Sequence, residues 1–143
     1  MTIPDISVVI CTYQRASYLD NTIDTLLQTK LPPPRFELIV VNNNSPDDTE
    51  TVVNGAIERH RAFQIRQVVE PKQGLSHARN RGVEEARASV VYFIDDDVIC
   101  PPRLLAVWHS FFRQFPDTAV AGGRIKVQFD DPCPEFMSLY LMP

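Results

Sequence analysis

Three acidic residues in a row, Asp95, Asp96 and Asp97, follow directly on the apolar run Val90-Val91-Tyr92-Phe93-Ile94. A short run of β-branched and aromatic residues reads as a buried strand, here one that ends in a carboxylate cluster. Adjacent carboxylates repel one another and resist leaving water, so their place at the mouth of a strand points to a cation that neutralises them. Mg2+ or Mn2+ is commonly held by one or two carboxylates together with phosphate oxygens, and Asp97 could hold such an ion.

Two further polar clusters carry chemistry, Thr12-Tyr13-Gln14-Arg15 and Asn42-Asn43-Asn44. The Tyr13 ring could stack on a base or simply cover the edge of a sheet. The Asn43 amide supplies both a donor and an acceptor to a base edge, while an Asn triplet also suits a turn closed by its own side chains. Arg79 reads either as a surface helix charge or, near a glycine-led helix start, as a phosphate contact. The acids could instead cap a helix that begins near Pro101, although Val98-Ile99-Cys100 intervene. His60, His77 and His109 have no ligand partners at recognisable spacing. A ring, a cation, amides and carboxylates together suit a nucleotide diphosphate with its metal.

The elements that would position these groups alternate along the chain. Ile6 to Cys11, Phe36 to Val41, Ile65 to Val69 and Val90 to Ile94 read as strands. Between them, Leu19, Ile23, Leu26 and Leu27 mark a helix over Ser17 to Thr29, stopped by Pro32-Pro33-Pro34. Val52, Val53, Ala56 and Ile57 mark a second, with Ser45 suited to its N-cap, Pro46 to its first position and Asp47 and Asp48 to the positive end of its dipole. Leu75, Ala78, Gly82, Val83 and Ala86 mark the inner face of a third. A fourth helix after Pro101-Pro102 carries Leu104, Leu105, Val107, Trp108, Phe111, Phe112 and Phe115, a stripe expected to be core. Thr118 to Ala121 reads as a fifth strand before Gly122-Gly123. Alternation of this kind predicts an α/β domain with a mostly parallel sheet, with ligands at the carboxyl ends of the strands. Thr12 to Arg15, Asn42 to Asn44 and Asp95 to Asp97 all fall at those ends.

Bulk properties exclude other classes. At 143 residues with 44% hydrophobic and 22% charged content, the chain is the size and composition of one globular domain. A net charge of −4 with dispersed Lys and Arg argues against nucleic acid as a partner. No run is long enough to span a bilayer, and the N-terminus lacks the plan of a signal peptide, so a cytoplasmic domain is expected. An anchor elsewhere would place it at the inner face of the membrane. Cys11, Cys100 and Cys133 are scattered, without metal or disulfide spacing, and are expected to be reduced thiols.

Four blocks together resemble the family 2 glycosyltransferases. They are Ser7-Val8-Val9-Ile10-Cys11-Thr12-Tyr13-Gln14-Arg15, Glu37-Leu38-Ile39-Val40-Val41-Asn42-Asn43-Asn44-Ser45, Gly74-Leu75-Ser76-His77-Ala78-Arg79-Asn80-Arg81-Gly82 and Phe93-Ile94-Asp95-Asp96-Asp97. The resemblance implies a GT-A (Rossmann-like) three-layer α/β/α fold, a divalent metal, Mn2+ or Mg2+, and inverting transfer of a sugar from a nucleotide diphosphate to an acceptor hydroxyl. It assigns Thr12 and Tyr13 to the base, Arg15, Gly74 and Arg79 to the donor pocket, Asn43 to the base edge, Asp95 and Asp96 to the ribose and diphosphate, and Asp97 to the metal. Cys11 stands where the family often has Pro, and Asn42 and Asn43 where it often has Asp, which leaves UDP-, dTDP- and GDP-linked donors open. Residues 1–125 would be the nucleotide-sugar-binding domain and 126–143 the start of an acceptor-side region, with the general base outside the chain. The acceptor, lipid-linked or polysaccharide, stays open, with cell-envelope polysaccharide synthesis as an expected setting. A non-catalytic nucleotide-sugar-binding module is the alternative. A haloacid dehalogenase-type phosphatase fits less well, because its acids follow the first strand, and a dinucleotide-binding oxidoreductase lacks G-x-G-x-x-G here.

Overall fold

Ile6–Thr12 forms strand β1, and its burial on both faces explains why the run is almost unbroken in apolar residues. It is followed by α1 (Ala16–Leu27), β2 (Phe36–Asn42), α2 (Thr49–Arg59), β3 (Gln64–Val69), α3 (Leu75–Glu85), β4 (Val91–Ile94) and α4 (Leu104–Gln114). This computed structural model describes residues 3–28 and 35–128. The stop at Pro32 to Pro34 and the proposed acceptor-side residues from 129 on lie outside the described residues. The strands form a four-stranded sheet in the order β3-β2-β1-β4, with every pairing parallel.

Alternation along the strands sorts the core into two layers. Ile6, Val8 and Ile10 of β1 and Leu38 and Val40 of β2 pack with Leu19, Ile23 and Leu26 of α1, Val53 and Ala56 of α2 and Leu105 of α4. Val9, Ile39 and Val41 point the other way, against Ala78 of α3. The result is the expected three-layer α/β/α arrangement. Full burial of one large aliphatic side chain contributes about 1.5–3 kcal/mol, so the first layer carries most of the apolar stabilisation. The second is thinner and works by close approach. A Cβ on Gly82 would lie 2.4 Å from Val9 Cγ1, so the bare glycine lets α3 reach the sheet.

Polar groups fix the opposite end of the sheet. Glu37 is buried at the start of β2, where the Ser7 hydroxyl donates to it at 2.7 Å and the Arg87 N–H at 2.9 Å. Ser7 Oγ also accepts from Ala88 N at 3.0 Å. The turn between α3 and β4 is thereby tied to β1 and β2, with the Arg66 and Arg87 guanidinium groups near the second carboxylate oxygen.

Several expectations require correction. Helix α2 starts at Thr49 with Asp48 at its N-cap, because Ser45 is occupied elsewhere: its Oγ accepts from Gln14 N and its N–H binds Asn42 Oδ1. Leu75 and Val83 are exposed, since α3 leans on the sheet through its small residues Ala78 and Gly82. No strand forms over 118–121, where Val120 is 87% exposed, and no strand pairs with the outer edge of β4 among the described residues. That edge position leaves Ile94 as the one buried residue of β4. Only Leu105 of α4 is buried; Trp108, Phe111, Phe112 and Phe115 pack chiefly on one another, joined by Tyr92 at 5.7 Å between rings. Among the described residues no helix is long and apolar enough to cross a membrane.

Gly82→Ala tests the close approach. Alanine favours a helix by up to about 1 kcal/mol over glycine, but overpacking against a mid-strand valine costs about 1–3 kcal/mol. The expected outcome is a lower urea midpoint at unchanged slope; an unchanged or higher midpoint would show that α3 can move away freely.

Candidate functional site

Helices lie on both faces of a sheet whose order reverses at β1. The chain leaves β1 through α1 and returns to the far side of β1 through α3, so a crevice opens at the carboxyl ends of β1 and β4. The loops there are laced together rather than free. Asn43 N–H donates to Thr12 O at 3.0 Å, Gln14 N–H to Ser45 Oγ at 3.2 Å and Ala16 N–H to Asp47 Oδ2 at 3.1 Å. Gln14 and Asn44 adopt φ of 56° and 59°, the left-handed turns that let both loops fold back. Between them lies a cavity of about 490 Å3 lined by Cys11, Thr12, Tyr13, Asn43, Gln73, Gly74, Leu75 and Ala78.

The structure thus places Thr12, Tyr13, Asn43 and Gly74 on one cavity. Tyr13 is 41% exposed at its mouth, free to meet a planar ligand. Thr12 and Asn43 are buried in its floor.

Beside the cavity the three acids have different surroundings. Asp95 is the most exposed, Asp97 is half exposed and Asp96 is buried. Burial raises the Asp96 carboxyl above the usual carboxylate range, the Thr12 hydroxyl and Arg15 pull it back, and the Asp97 charge adds to the rise. The neutralising cations come from the chain itself. Arg15 Nε lies 3.1 Å from Asp96 Oδ1 and its Nη2 donates to Asp97 Oδ2, with the guanidinium 4.9 Å from the Tyr18 ring centre. Arg79 Nη2 is 3.9 Å from Asp95 Oδ1, and its guanidinium sits 5.9 Å from the Phe93 ring centre.

Residues of α1 that periodicity had hidden hold this loop. Thr22 Oγ1 donates to Asp96 O at 2.9 Å and accepts from Val98 N at 3.1 Å, while Thr25 Oγ1 accepts from Cys100 N at 3.1 Å. Two threonines three apart, among Leu19, Ile23 and Leu26 on a buried helix face, were the available signal. Cys11, Gln73, Leu75 and Ala78 were also missed as lining residues. The histidines lie outside the cavity, and His60 instead pairs with Asp24 at 2.9 Å between α1 and α2.

Hard divalent ions need oxygen ligands and accept several from a bound phosphate. Among the described residues no three His, Cys, Asp or Glu side chains are grouped so as to hold a metal by themselves. The accessible carboxylates Asp97, itself paired with Arg15, and Asp95 fit such an ion in company with ligand oxygens; Asp96, buried, does not.

Comparison with known proteins follows the same outline. The family model for glycosyl transferase family 2 matches residues 7–133. The chain is 33% identical over 140 residues to the validoxylamine A glucosyltransferase of Streptomyces hygroscopicus subsp. limoneus, covering 96% of this chain and 30% of that protein. The fold matches the mannosyltransferase PcManGT from Pyrobaculum calidifontis, solved in complex with GDP-Man and Mn2+, with a TM-score of 0.67 and 26% identity, over 75% of this chain and 32% of that one. It also matches S. aureus TarS 1-349 in complex with UDP-GlcNAc, with a TM-score of 0.64 and 23% identity, over 76% and 31% of the two chains. The chain spans about a third of the length of these relatives.

The cavity makes a prediction about its thiol. Burial raises Cys11 from 9.0 to about 11, and Cys100 likewise. At pH 8 that leaves roughly a hundredfold less thiolate than an unperturbed thiol, so a Cys133→Ser variant should alkylate slowly with iodoacetamide until denatured. Rapid labelling of Cys11 in the folded protein would show that the cavity floor is open to water.

Proposed function

We propose, from the premise that the chain belongs to glycosyl transferase family 2, that the cleft binds a nucleotide-diphosphate sugar and that the protein transfers its sugar to an acceptor hydroxyl with inversion. One observation carries this reading: a cavity of nucleoside size adjoins a row of acids and guanidinium groups at a single sheet edge. Tyr13 would stack on the base, and Thr12 and Asn43 would form its floor. Arg15 and Arg79, now paired with carboxylates, would turn toward the diphosphate, near the N-terminus of α3 that opens at Gly74. Asp95 and Asp96 would lie by the ribose and diphosphate.

Asp97 would hold a divalent ion, Mn2+ or Mg2+, shared with the diphosphate. Bound there, the ion supplies positive charge against the negative charge that develops on the leaving diphosphate. The chain's own groups bind and orient the donor: the loop lacing fixes the base, and the guanidinium groups fix the phosphates. The sugar would then be attacked in line by an acceptor hydroxyl whose proton passes to a general base. That base and the acceptor are assigned to the region of the relatives that this chain does not span. PcManGT, with its GDP-Man and Mn2+, and the validoxylamine A glucosyltransferase support this class of donor and reaction.

Calorimetry with UDP, dTDP and GDP, with and without Mn2+, tests the reading. At least one nucleotide should bind, more tightly with the metal, and Asp97→Ala should remove the metal-dependent gain, about tenfold or more, as loss of a charge-assisted ligand implies. A folded sample that binds none of the three, or an Asp97→Ala variant with the gain intact, would overturn it.

A further inference from the structure

Asn43 is 5% exposed, and its carboxamide is almost wholly engaged by one short segment of backbone. Its Nδ2 donates to Glu70 O at 2.9 Å and to Lys72 O at 2.8 Å, and its Oδ1 accepts from Gly74 N–H at 2.8 Å. An amide has two donor hydrogens and two acceptor lone pairs, so both donors and one acceptor site are taken. The segment has other anchors at its edges, Glu70 N–H to Asn42 O at 2.9 Å and Lys72 N–H to Glu70 Oε1 at 2.8 Å. Gly74 itself has φ of 135°, a conformation that L side chains rarely adopt. Gln73, Gly74 and Leu75, which follow the clamped carbonyls, line the same cavity as Tyr13.

We propose that Asn43 is a positioning residue whose carboxamide holds the Glu70 to Gly74 segment as the second wall of the cleft, and that an amide rather than a carboxylate is required there. A carboxylate at this position would place negative oxygens within hydrogen-bond distance of two backbone carbonyls and would lose both donors. Only the Gly74 N–H would still be met. Toward a ligand, Asn43 retains one Oδ1 lone pair and no donor, so it faces the cavity as an acceptor alone. Its contribution to nucleotide affinity, which rests on the donor-site reading, therefore passes mainly through the wall it holds. The amide that stands free at the cleft is that of Gln73, exposed and lining the cavity.

Asn43→Asp separates this role from direct contact, because a carboxylate can still accept a hydrogen bond from a base. Asn43→Ala accompanies it, so that the question stays answerable if the aspartate variant does not fold. Amide hydrogen exchange by NMR is followed at Gly74 and at Val8 to Ile10 of β1 without ligand, and affinity for UDP, dTDP and GDP is measured with Mn2+. The expected result is exchange at Gly74 faster by about tenfold or more in Asn43→Ala, which removes the acceptor of that part-buried hydrogen bond, with β1 protection unchanged and nucleotide affinity reduced by a similar factor in both variants. Gly74 protection equal to wild type in Asn43→Ala, or full affinity retained in Asn43→Asp, would overturn the proposal. If wild type binds no nucleotide, the donor-site reading fails by itself, and exchange at Gly74 still decides whether Asn43 holds the wall.

Discussion

The cleft depends on a single constraint, the pairing of β1 along both of its edges. From Ile6 to Thr12 the strand is in register with β2, and from Ser7 to Ile10 with β4. Parallel pairing brings the carboxyl ends of all three strands to one level, so the polar residues that follow each strand meet without any long loop. The Asn43 N–H to Thr12 O bond carries the ladder one step past the strands, and side chains of the second loop then lace it to the first. A slip of one residue would turn Val9 toward α1 and Val8 toward α3, and would remove the close contact at Gly82.

Charge is arranged around this frame so that two guanidinium groups offset most of the charge of the three carboxylates. Arg15 spans Asp96 and Asp97, and Arg79 stands by Asp95. Burying Asp96 disfavours its charged form, and Arg15 offsets that cost only in part. Most of these pairs are solvent-exposed, where ion pairs contribute little to stability, so their partners can be exchanged at small cost. A ligand that carries anionic phosphates can take over the guanidinium groups while a cation takes over the carboxylates. The backbone beneath does not share this freedom: Thr22 and Thr25, anchored in the core through α1, fix the loop from Asp96 to Cys100.

Much of this was legible in the residues. Apolar runs of strand length, helical spacing between them and polar clusters at the strand ends located four strands, four helices and the edge where they converge. What escaped was set by long-range partners. Glu37 reads as a break in an apolar strand until Ser7 and the Arg87 amide are seen to satisfy it. Ser45 has the chemistry of an N-cap, but a residue 31 positions away takes its hydroxyl. The aromatic stripe of α4 has the periodicity of a core helix, yet periodicity cannot say whether a partner is present to cover it. Asn43 reads equally as a base contact and as a turn residue, and only the positions of Glu70, Lys72 and Gly74 show where its amide is engaged.

Paramagnetic NMR tests the central claim most directly. The 15N-labelled protein is titrated with UDP, dTDP or GDP and then with a trace of Mn2+. Shift changes at Cys11 to Gln14, Asn42 to Asn44 and Gln73 to Arg79, followed by metal broadening centred on Asp95 to Val98, are expected of a nucleotide-diphosphate site at this sheet edge. Shifts at the opposite end of the sheet, near Ser89, His109 and Arg113, or broadening that does not depend on the nucleotide, would contradict it.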